Sequence, residues 1–387
     1  MPYDETFEIE ADRLAIWVSR LVRIPSVNPE QKGPRVEIPG EGQLARSLAV
    51  WFSDLGAETS LLEVLPDRPD VIGIWRGSTD KWIAIDVHLD TVGVEQMEGN
   101  PFSGEIKGGR VYGRGSVDTK ASMGVILAIL ESIQEQGISL EPNLLILGTM
   151  DEEEKSLGAE AFVEWIRDQE IRLDQLVVAE PTMCTPVYGH KGVLRLHFHV
   201  HGVSTHTSQP QLGENAITAA AHIVQAFEKE DRRLQFEVAE RKLGVGALTV
   251  SIIQGGRGLN VVPDSCTISI DRRLVDGEDP EEEMDRLLRL AQNVSPQPVE
   301  MEEIKSRVAF LESSETQLVQ NFASWSGSQP TVVPFGTNAW VYAGIYRECV
   351  VIGPGSIDQA HGAVEWVEIS ELEKIATLYA QWWGVLK

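Results

Sequence analysis

A histidine and a carboxylate lie two positions apart after an apolar segment, where His88 and Asp90 follow Trp82–Val87. The segment has the length and hydrophobicity of a buried strand, and side chains two positions apart in a strand share one face, about 7 Å apart. In an open α/β sheet, ligands bind outside the carboxyl ends of the strands. We therefore expect a functional site here, although such a pair by itself is more often a hydrogen-bonded structural contact.

Further carboxylates and a second histidine follow other predicted strands or glycine-rich turns. They are Asp118, Glu152, Glu153, Glu180 and His361. All of these except Asp118 also have a purely structural interpretation. Residues 151–154 could begin a helix, where carboxylates favour the helix dipole, Glu180 could close a strand, and His361 could be a surface-loop histidine. It is the joint arrangement that indicates a metal site.

Five of these residues have ligand chemistry that suits zinc, cobalt or manganese, because they offer oxygen and nitrogen donors and no thiolate. They are His88, Asp118, Glu153, Glu180 and His361. Two divalent ions ~3.5–4 Å apart need a bridging carboxylate and two terminal ligands each. The set meets that requirement with Asp118 as the bridge.

The other acidic residues have expected roles beside the ions. Asp90 would accept a hydrogen bond from His88, which fixes the histidine tautomer and raises its basicity. Glu152 and Glu153 are neighbours and cannot both face one ion along an extended segment. One could therefore ligate while the other acts as general base on an attacking water. Bound metal lowers the pKa of water, and hydrolysis of an unactivated amide needs the hydroxide that results.

Predicted strands and helices alternate up to residue 184. Helices are expected at 10–22, 42–55, 120–136 and 158–169, and strands at 59–64, 71–75, 82–92, 143–148 and 175–180. Such alternation predicts an α/β catalytic domain with a mainly parallel, helix-covered sheet. Residues 309–387, with helices expected at 313–325 and 370–383, would complete that domain.

Between residues 185 and 308 the predicted order changes to β-α-β-β-α-β, which is typical of a ferredoxin-like α+β domain. The catalytic domain is therefore predicted at 1–184 and 309–387, with an inserted domain at 185–308. Within the insert, residues 193–200 alternate between apolar and polar side chains, which predicts a sheet with one wet face. The row of His197, His199 and His201 has metal-like spacing, but we interpret it as the solvent face of the strand.

Composition argues against several classes of partner. The chain has 387 residues, of which 42% are hydrophobic, and a formal net charge of −26. That charge disfavours nucleic acid and anionic membranes as partners, because both bind basic patches. Three cysteines without CxxC spacing predict core thiols in a reducing compartment. The acidic start at Met1–Thr6, and a longest apolar stretch of only 123–130, predict a cytoplasmic protein without a secretory signal or membrane span.

The motifs that carry these residues extend over nearly the whole chain. They are His88–Val92, Gly113–Lys120, Asp151–Glu153, Glu180–Thr182, and Gly353–Gly355 followed by Ala360 and His361. Together they resemble the di-metal amidohydrolase and peptidase family that includes acetylornithine deacetylase, succinyl-diaminopimelate desuccinylase, aminoacylase and a glutamate-releasing carboxypeptidase.

The resemblance implies a specific assignment of roles. One ion would have His88 and Glu180 as terminal ligands. The other would have Glu153 and His361, with Asp118 as the bridge. Glu152 would be the general base and Asp90 would support His88. The family also implies a cis peptide bond after Asp118.

The inserted domain resembles the family's lid and dimerisation domain. In that family a loop histidine reaches across the dimer to stabilise the tetrahedral oxyanion, and the matching residue here is His206. Asn260 and Arg273 resemble lid residues that clamp a substrate carboxylate, a task that suits the guanidinium fork. Gly336 begins a segment that resembles the substrate-side loop.

Two positions depart from the family pattern. Val87 precedes His88 where many relatives have glycine, which alters packing. Asn338 stands where an acidic residue is common. Because that loop is expected beside the substrate, Asn338 bears on substrate identity.

Taken together, these features predict a cytoplasmic di-zinc hydrolase that cleaves the amide of an N-acyl amino acid with a free carboxylate, as a homodimer with a mobile lid. Residues 188–192 and 353–361 favour the acetylornithine deacetylase branch, an activity of amino-acid biosynthesis. The same-family alternative is a succinyl-diaminopimelate desuccinylase, or a dipeptidase or carboxypeptidase of short peptides. The alternative from a different class is a metal-binding or amino-acid-binding protein without catalysis.

Overall fold

The computed structural model describes residues 7, 9–31, 33, 37, 39–236 and 241–386. The chain divides into two compact units, one drawn from Met1–Tyr188, Glu312–Thr331 and Thr337–Lys387, the other from Gly189–Leu311 and Val332–Gly336. The prediction that Met1–Thr6 begin no secretory signal lies outside the described residues.

The helices and strands alternate as the hydrophobic pattern predicts. The helices are α1 (Ala11–Val22), α2 (Gly42–Asp54), α3 (Lys120–Gln136), α4 (Leu157–Asp168), α5 (Ala216–Gln235), α6 (Pro280–Val294), α7 (Gln317–Ser326) and α8 (Ile369–Trp382). The strands up to the second unit are β1 (Glu58–Leu65), β2 (Arg68–Trp75), β3 (Trp82–His88), β4 (Glu105–Lys107), β5 (Arg110–Tyr112), β6 (Asn143–Thr149), β7 (Leu173–Val178) and β8 (Val187–His190). The others are β9 (Gly192–His201), β10 (Ala247–Gly255), β11 (Ser265–Leu274), β12 (Val299–Arg307), β13 (Phe310–Leu311), β14 (Thr331–Val333), β15 (Tyr346–Val351) and β16 (Trp366–Glu368).

The main sheet of the first unit has the strand order β1-β2-β6-β3-β7-β15-β8. Its four central strands, β6, β3, β7 and β15, are parallel, as predicted. The edges are antiparallel, because β2 runs opposite to both β1 and β6, and β8 runs opposite to β15. Only residues 66 and 67 join β1 to β2, and a connection that short can join only antiparallel neighbours. The result is a mixed sheet with a parallel centre.

The parallel centre brings the functional residues to one edge of the sheet. His88 is the last residue of β3 and pairs in register with Thr149, the last residue of β6. The segment 151–153 therefore begins beside His88, and Glu180 follows β7 on the other side of β3. Strands β3 and β6 are buried along almost their whole length, since helices cover such sheets on both faces. α3 packs on β3 and ends at Gly137, whose φ of 64° gives the left-handed cap that glycine favours.

The second unit has a four-stranded antiparallel sheet in the order β10-β11-β9-β12. With α5 between β9 and β10 and α6 between β11 and β12, this is the ferredoxin-like arrangement that the β-α-β-β-α-β pattern predicts. The apolar face of β9 lies in the core of this unit with Leu194, Leu196, Phe198 and Val200. On the opposite face, His199 contacts Glu302 at 3.1 Å, which agrees with the predicted polar face.

Two further expectations concern cysteines and membranes. Cys184, Cys266 and Cys349 are buried free thiols, as predicted. Among the residues that the structure describes, none of the helices combines the length and hydrophobicity needed to cross a bilayer.

Candidate metal centre

The five predicted ligands converge at the carboxyl edge of the sheet, all within the first unit. Two sets of three donors each have ligand atoms within 4.8 Å of one another. One set is His88, Asp118 and Glu180, and the other is Asp118, Glu153 and His361. The sets share Asp118. The structure therefore brings together residues that lie up to 273 positions apart in sequence (361 − 88).

His88 is held with one ring nitrogen toward the cluster. Its Nδ1 lies 2.9 Å from the backbone carbonyl oxygen of Asp90. Because a carbonyl can only accept, Nδ1 carries a proton, and the other nitrogen, Nε2, is the one that can bind a metal. Nε2 lies 2.9 Å from Asp118 Oδ1. The support expected from the Asp90 carboxylate thus comes from the Asp90 main chain, since the carboxylate Oδ1 is 3.6 Å away.

Asp118 presents its two carboxylate oxygens to two different histidines. Oδ1 faces His88 and Oδ2 lies 3.3 Å from His361 Nε2. Burial opposes ionisation of this carboxyl, but hydrogen bonds from His361 and His88 lower its pKa overall. The peptide bond from Asp118 to Thr119 is cis, as the family resemblance implies. A carboxylate with separate partners on each oxygen is the arrangement required of a bridge.

Glu153 and His361 form the other side of the cluster. Glu153 Oε1 lies 3.2 Å from His361 Nε2, and these contacts with Asp118 and Glu153 raise the pKa of the imidazole. Burial raises the pKa of the Glu153 carboxyl. The ring of His361 is half-exposed, which leaves this side of the cluster open to solvent.

Glu180 is buried beside His88, and its carboxyl has a pKa raised well above the usual value. Burial is the main cause, and nearby Glu152, Asp118 and Glu153 add to it by repulsion. A close approach of the chain fixes this segment, because a Cβ on Gly353 would lie 2.5 Å from the Glu180 carbonyl oxygen. Only glycine permits that contact, which explains why a glycine stands at this position.

Asp90 has a second task that the sequence did not reveal. Its carboxylate accepts hydrogen bonds from the backbone N–H groups of Glu152 and Glu153, at 3.0 and 3.2 Å. It also accepts one from Asn28 Nδ2 at 2.8 Å. Asp90 therefore fixes the main chain that carries the expected general base and one expected ligand.

A buried ion cluster supports Asp151, just before these glutamates. Arg68 donates to Glu41 at 2.7 Å and to Asp151 at 3.0 Å, and Asn28 also donates to Asp151 at 3.0 Å. Burial raises the pKa of Glu41 to about 7. Sequence reasoning missed Asn28, Glu41 and Arg68. For Asn28, its position between two prolines was the available signal.

A third group of polar residues lies along β3 before His88. Asp86 accepts hydrogen bonds from Thr149, Tyr342 and Asn338, at 2.8, 2.8 and 3.1 Å. Asn338 is only 1% exposed. Its side chain therefore belongs to this buried network, where the donor amide pairs with a carboxylate. An acidic residue at this position would face Asp86 with like charge, so the amide suits the network. The bearing of this loop on substrate identity stays a prediction.

The residues predicted to contact substrate belong to the second unit. His206 is exposed, and its Nδ1 accepts a hydrogen bond from the Ser208 backbone N–H. The neutral ring therefore carries its proton on Nε2, which leaves a donor available. The loop of Asn260 is close by, since its carbonyl accepts from the Thr207 N–H at 3.1 Å. Gly336 ends the 332–336 segment of this unit.

Arg273 is already paired within its own strand. Its Nε and Nη2 donate to the two carboxylate oxygens of Asp271, at 2.6 and 3.2 Å. Its neighbour Arg272 points the other way and is buried between Glu278 and Glu283.

The donor set fits divalent cations in its chemistry. It gathers carboxylates and imidazoles in a small volume, where neighbouring carboxylates raise the pKa of both His88 and His361. A metal ion can replace such protons, so binding would release protons. Oxygen and nitrogen donors without thiolate suit zinc, cobalt and manganese.

Comparison with known proteins gives matches along most of the chain. A model of peptidase family M20/M25/M40 matches residues 84–384. An acetylornithine deacetylase from Myxococcus xanthus is 29% identical over 319 residues, which cover 79% of this chain and 80% of the relative.

Solved structures show similarity of fold. An M20 family metallo-carboxypeptidase from Sulfolobus solfataricus matches with a TM-score of 0.77 and 18% identity, covering 97% of this chain and 100% of its own. A dinuclear metal-binding peptidase of the M20 family from Bacillus subtilis matches with a TM-score of 0.67 and 14% identity, covering 97% and 99%.

Because carboxylates crowd around Glu180, its replacement should stabilise the metal-free protein but reduce the stabilisation that metal binding provides. Glu180→Gln should raise the Tm of chelator-treated protein, because it removes a buried acid from a like-charged group. With free metal 100-fold above Kd, binding stabilises the wild type by about 2.7 kcal/mol, and the variant should gain less. Thermal unfolding with and without zinc measures both effects. Exposed Glu373→Gln is the control, and a lower Tm for metal-free Glu180→Gln would contradict the electrostatic account.

Proposed function

Because the chain belongs to peptidase family M20/M25/M40 and is a metal-dependent hydrolase, we propose that it cleaves the amide of an N-acyl amino acid with a free carboxylate. N-acetylornithine is the first candidate substrate, since acetylornithine deacetylases are among its relatives. The observation that carries the proposal is the pair of donor sets that share Asp118 through separate oxygens.

Two divalent ions per subunit would occupy these sets, zinc in the first place, with cobalt or manganese as alternatives. His88 and Glu180 would hold one ion, Glu153 and His361 the other, and Asp118 both. When bound, such ions supply Lewis acidity, which polarises a carbonyl and strengthens water as an acid at neutral pH.

Glu152 is the general base of this proposal. Its main chain is fixed by Asp90, and its carboxylate is close enough to Glu180 to raise the pKa of that acid. In this position it would take a proton from the attacking water and pass it to the leaving amine. Asp90 acts by holding this segment and, through its carbonyl, the His88 ring.

The second unit would supply contacts to the substrate, and its His206 would act in the active site of the partner subunit. We assign the inserted domain, predicted at 185–308, as the lid and dimerisation domain of a homodimer. The second unit, Gly189–Leu311 with Val332–Gly336, contains most of it. His206 would donate from Nε2 to the oxyanion that develops on the carbonyl oxygen. Asn260, Arg273 and Gly336 would bind the part of the substrate that bears the free carboxylate.

Replacing the base tests the proposed mechanism. Glu152→Gln should lower kcat by about 10²–10⁴-fold, the usual contribution of general acid–base catalysis, while metal content measured by mass spectrometry stays the same. Glu154→Gln is the matched control, because Glu154 accepts its hydrogen bond from Gln31 and has no part in the proposed chemistry. Near-normal turnover by Glu152→Gln would show that Glu152 is not the general base.

Substrate class and metal dependence are tested together. Chelator-treated protein should lose hydrolysis of N-acetylornithine, and zinc, cobalt or manganese should restore it. A panel of N-acetyl and N-succinyl amino acids and dipeptides measures kcat/KM. Preference for succinyl-diaminopimelate or for peptides would replace the deacetylase assignment with that activity. Metal binding without hydrolysis of any substrate would favour a binding protein.

Mixed dimers test the assignment of His206. Glu152→Gln and His206→Ala subunits should each be inactive alone. If His206 serves the neighbouring subunit, each mixed dimer contains one complete site, so equal mixing should restore about one quarter of wild-type activity in a symmetric dimer. Native mass spectrometry verifies exchange. Mixed dimers without activity, or a strictly monomeric protein, would refute action across the dimer.

A further inference from the structure

A buried ion pair joins two segments of the first unit that each carry a proposed ligand. Arg114 Nη1 lies 2.6 Å from Glu365 Oε2, and the two side chains are only 3% and 1% exposed. Arg114 comes four residues before Asp118, and Glu365 four residues after His361. The mechanism proposed above uses neither side chain.

Glu365 uses its second oxygen to hold the segment of Asp118. Its Oε1 accepts hydrogen bonds from the backbone N–H groups of Val117 and Asp118, at 3.0 and 3.3 Å. Its main-chain carbonyl accepts from Gly113 at 3.0 Å. One residue therefore fixes both the start and the end of the segment that carries the proposed bridge.

Arg114 uses the rest of its guanidinium to hold two other segments. Nε and Nη2 donate to the carbonyl oxygen of Gly93, at 3.2 and 3.0 Å. Nη2 also contacts the carbonyl oxygen of Gly362 at 3.4 Å. Gly93 lies three residues after Asp90, and Gly362 is next to His361. The fork thus reaches the segments of both proposed histidine ligands.

Stability alone does not explain such a pair. Two charges lose their hydration on burial, and well-packed apolar residues of the same volume are often as stable or more stable. The planar guanidinium of Arg114 instead fixes the directions of its hydrogen bonds. The single ammonium group of a lysine would not do so. Each of the seven contacts acts on the main chain of a ligand-bearing segment or within the pair itself.

We propose that Arg114 and Glu365 are positioning residues that set the spacing of the Asp118, His88 and His361 segments and thereby the metal affinity of the centre. The proposal rests on the proposed function for what those segments hold. It assigns no contact with substrate or metal to either residue.

Glu365→Gln is the direct test. A carboxylate offers an acceptor oxygen to each side, toward Arg114 and toward the two backbone N–H groups, whereas an amide has only one. The variant must lose one set of contacts. We expect metal affinity, measured by competition with a chelator of known affinity, to fall by about 10–100-fold, as for other groups that orient ligands. Saturating metal should then restore most of kcat.

Two further variants separate positioning from stability. Arg114→Lys keeps the charge but not the fork and should also weaken metal binding. Glu283→Gln is the matched control, because Arg272 donates to Glu283 at 2.7 Å and is 0% exposed, in the second unit. Like Glu365→Gln, the Glu283→Gln variant breaks a buried ion pair and should lower the Tm. Its metal affinity should stay within twofold of the wild type.

A readout without metal tests the same pair. In chelator-treated Glu365→Gln, the amides of Val117 and Asp118 should exchange hydrogen faster than in the wild type. Wild-type metal affinity and unchanged exchange in Glu365→Gln would overturn the proposal. If the wild-type protein itself neither binds metal nor hydrolyses amides, the proposed function fails, and the exchange rates still decide whether the pair holds the Asp118 segment.

Discussion

The rest of the structure depends on the close approach of carboxylates around Asp118. Carboxylates within a few ångströms repel one another, and burial raises the pKa values of Glu153 and Glu180. In the first unit this repulsion is offset by imidazoles that lie between the acids, with His88 and His361 each facing one oxygen of Asp118. A divalent cation suits such a group, because it can replace the protons that the donors hold and offset the repulsion between the carboxylates.

The centre keeps its shape through the surrounding polar networks. Asp90 and Asn28 fix the 151–153 segment, and Asp86 lies beneath His88 with Thr149, Tyr342 and Asn338. The Asp90 network joins side chains to main chain. The Asp86 network is buried and joins side chains of distant segments to one another. Buried polar networks of this kind make the segments that they join more rigid. They therefore restrict the segments to one arrangement, which a group of mutually repelling ligands would not maintain by itself.

The sequence predicted which donors lie together because their signals are local. His88, Glu153 and Glu180 follow apolar strands, and parallel strands bring their carboxyl ends to one edge. The ferredoxin-like unit was also predictable, because its order of elements is distinctive. The supporting pairs were not, since Arg68 meets Asp151 at a separation of 83 residues and Arg114 meets Glu365 at 251. Nothing in the local sequence of an arginine indicates which distant acid it meets.

Substrate selection was the least predictable property, for a physical reason. Arg273, the expected carboxylate clamp, already holds the Asp271 carboxylate with two hydrogen bonds, and Arg195 contacts the same acid at 3.2 Å. A substrate carboxylate would exchange one such pairing for another, in a partly exposed setting where ion pairs contribute little. If the proposed function holds, the net gain from the clamp would be small, and discrimination among N-acyl amino acids would come from the acyl group and the amino-acid side chain. The metal-binding motifs of the sequence do not specify the contacts that would select the acyl group and the amino-acid side chain.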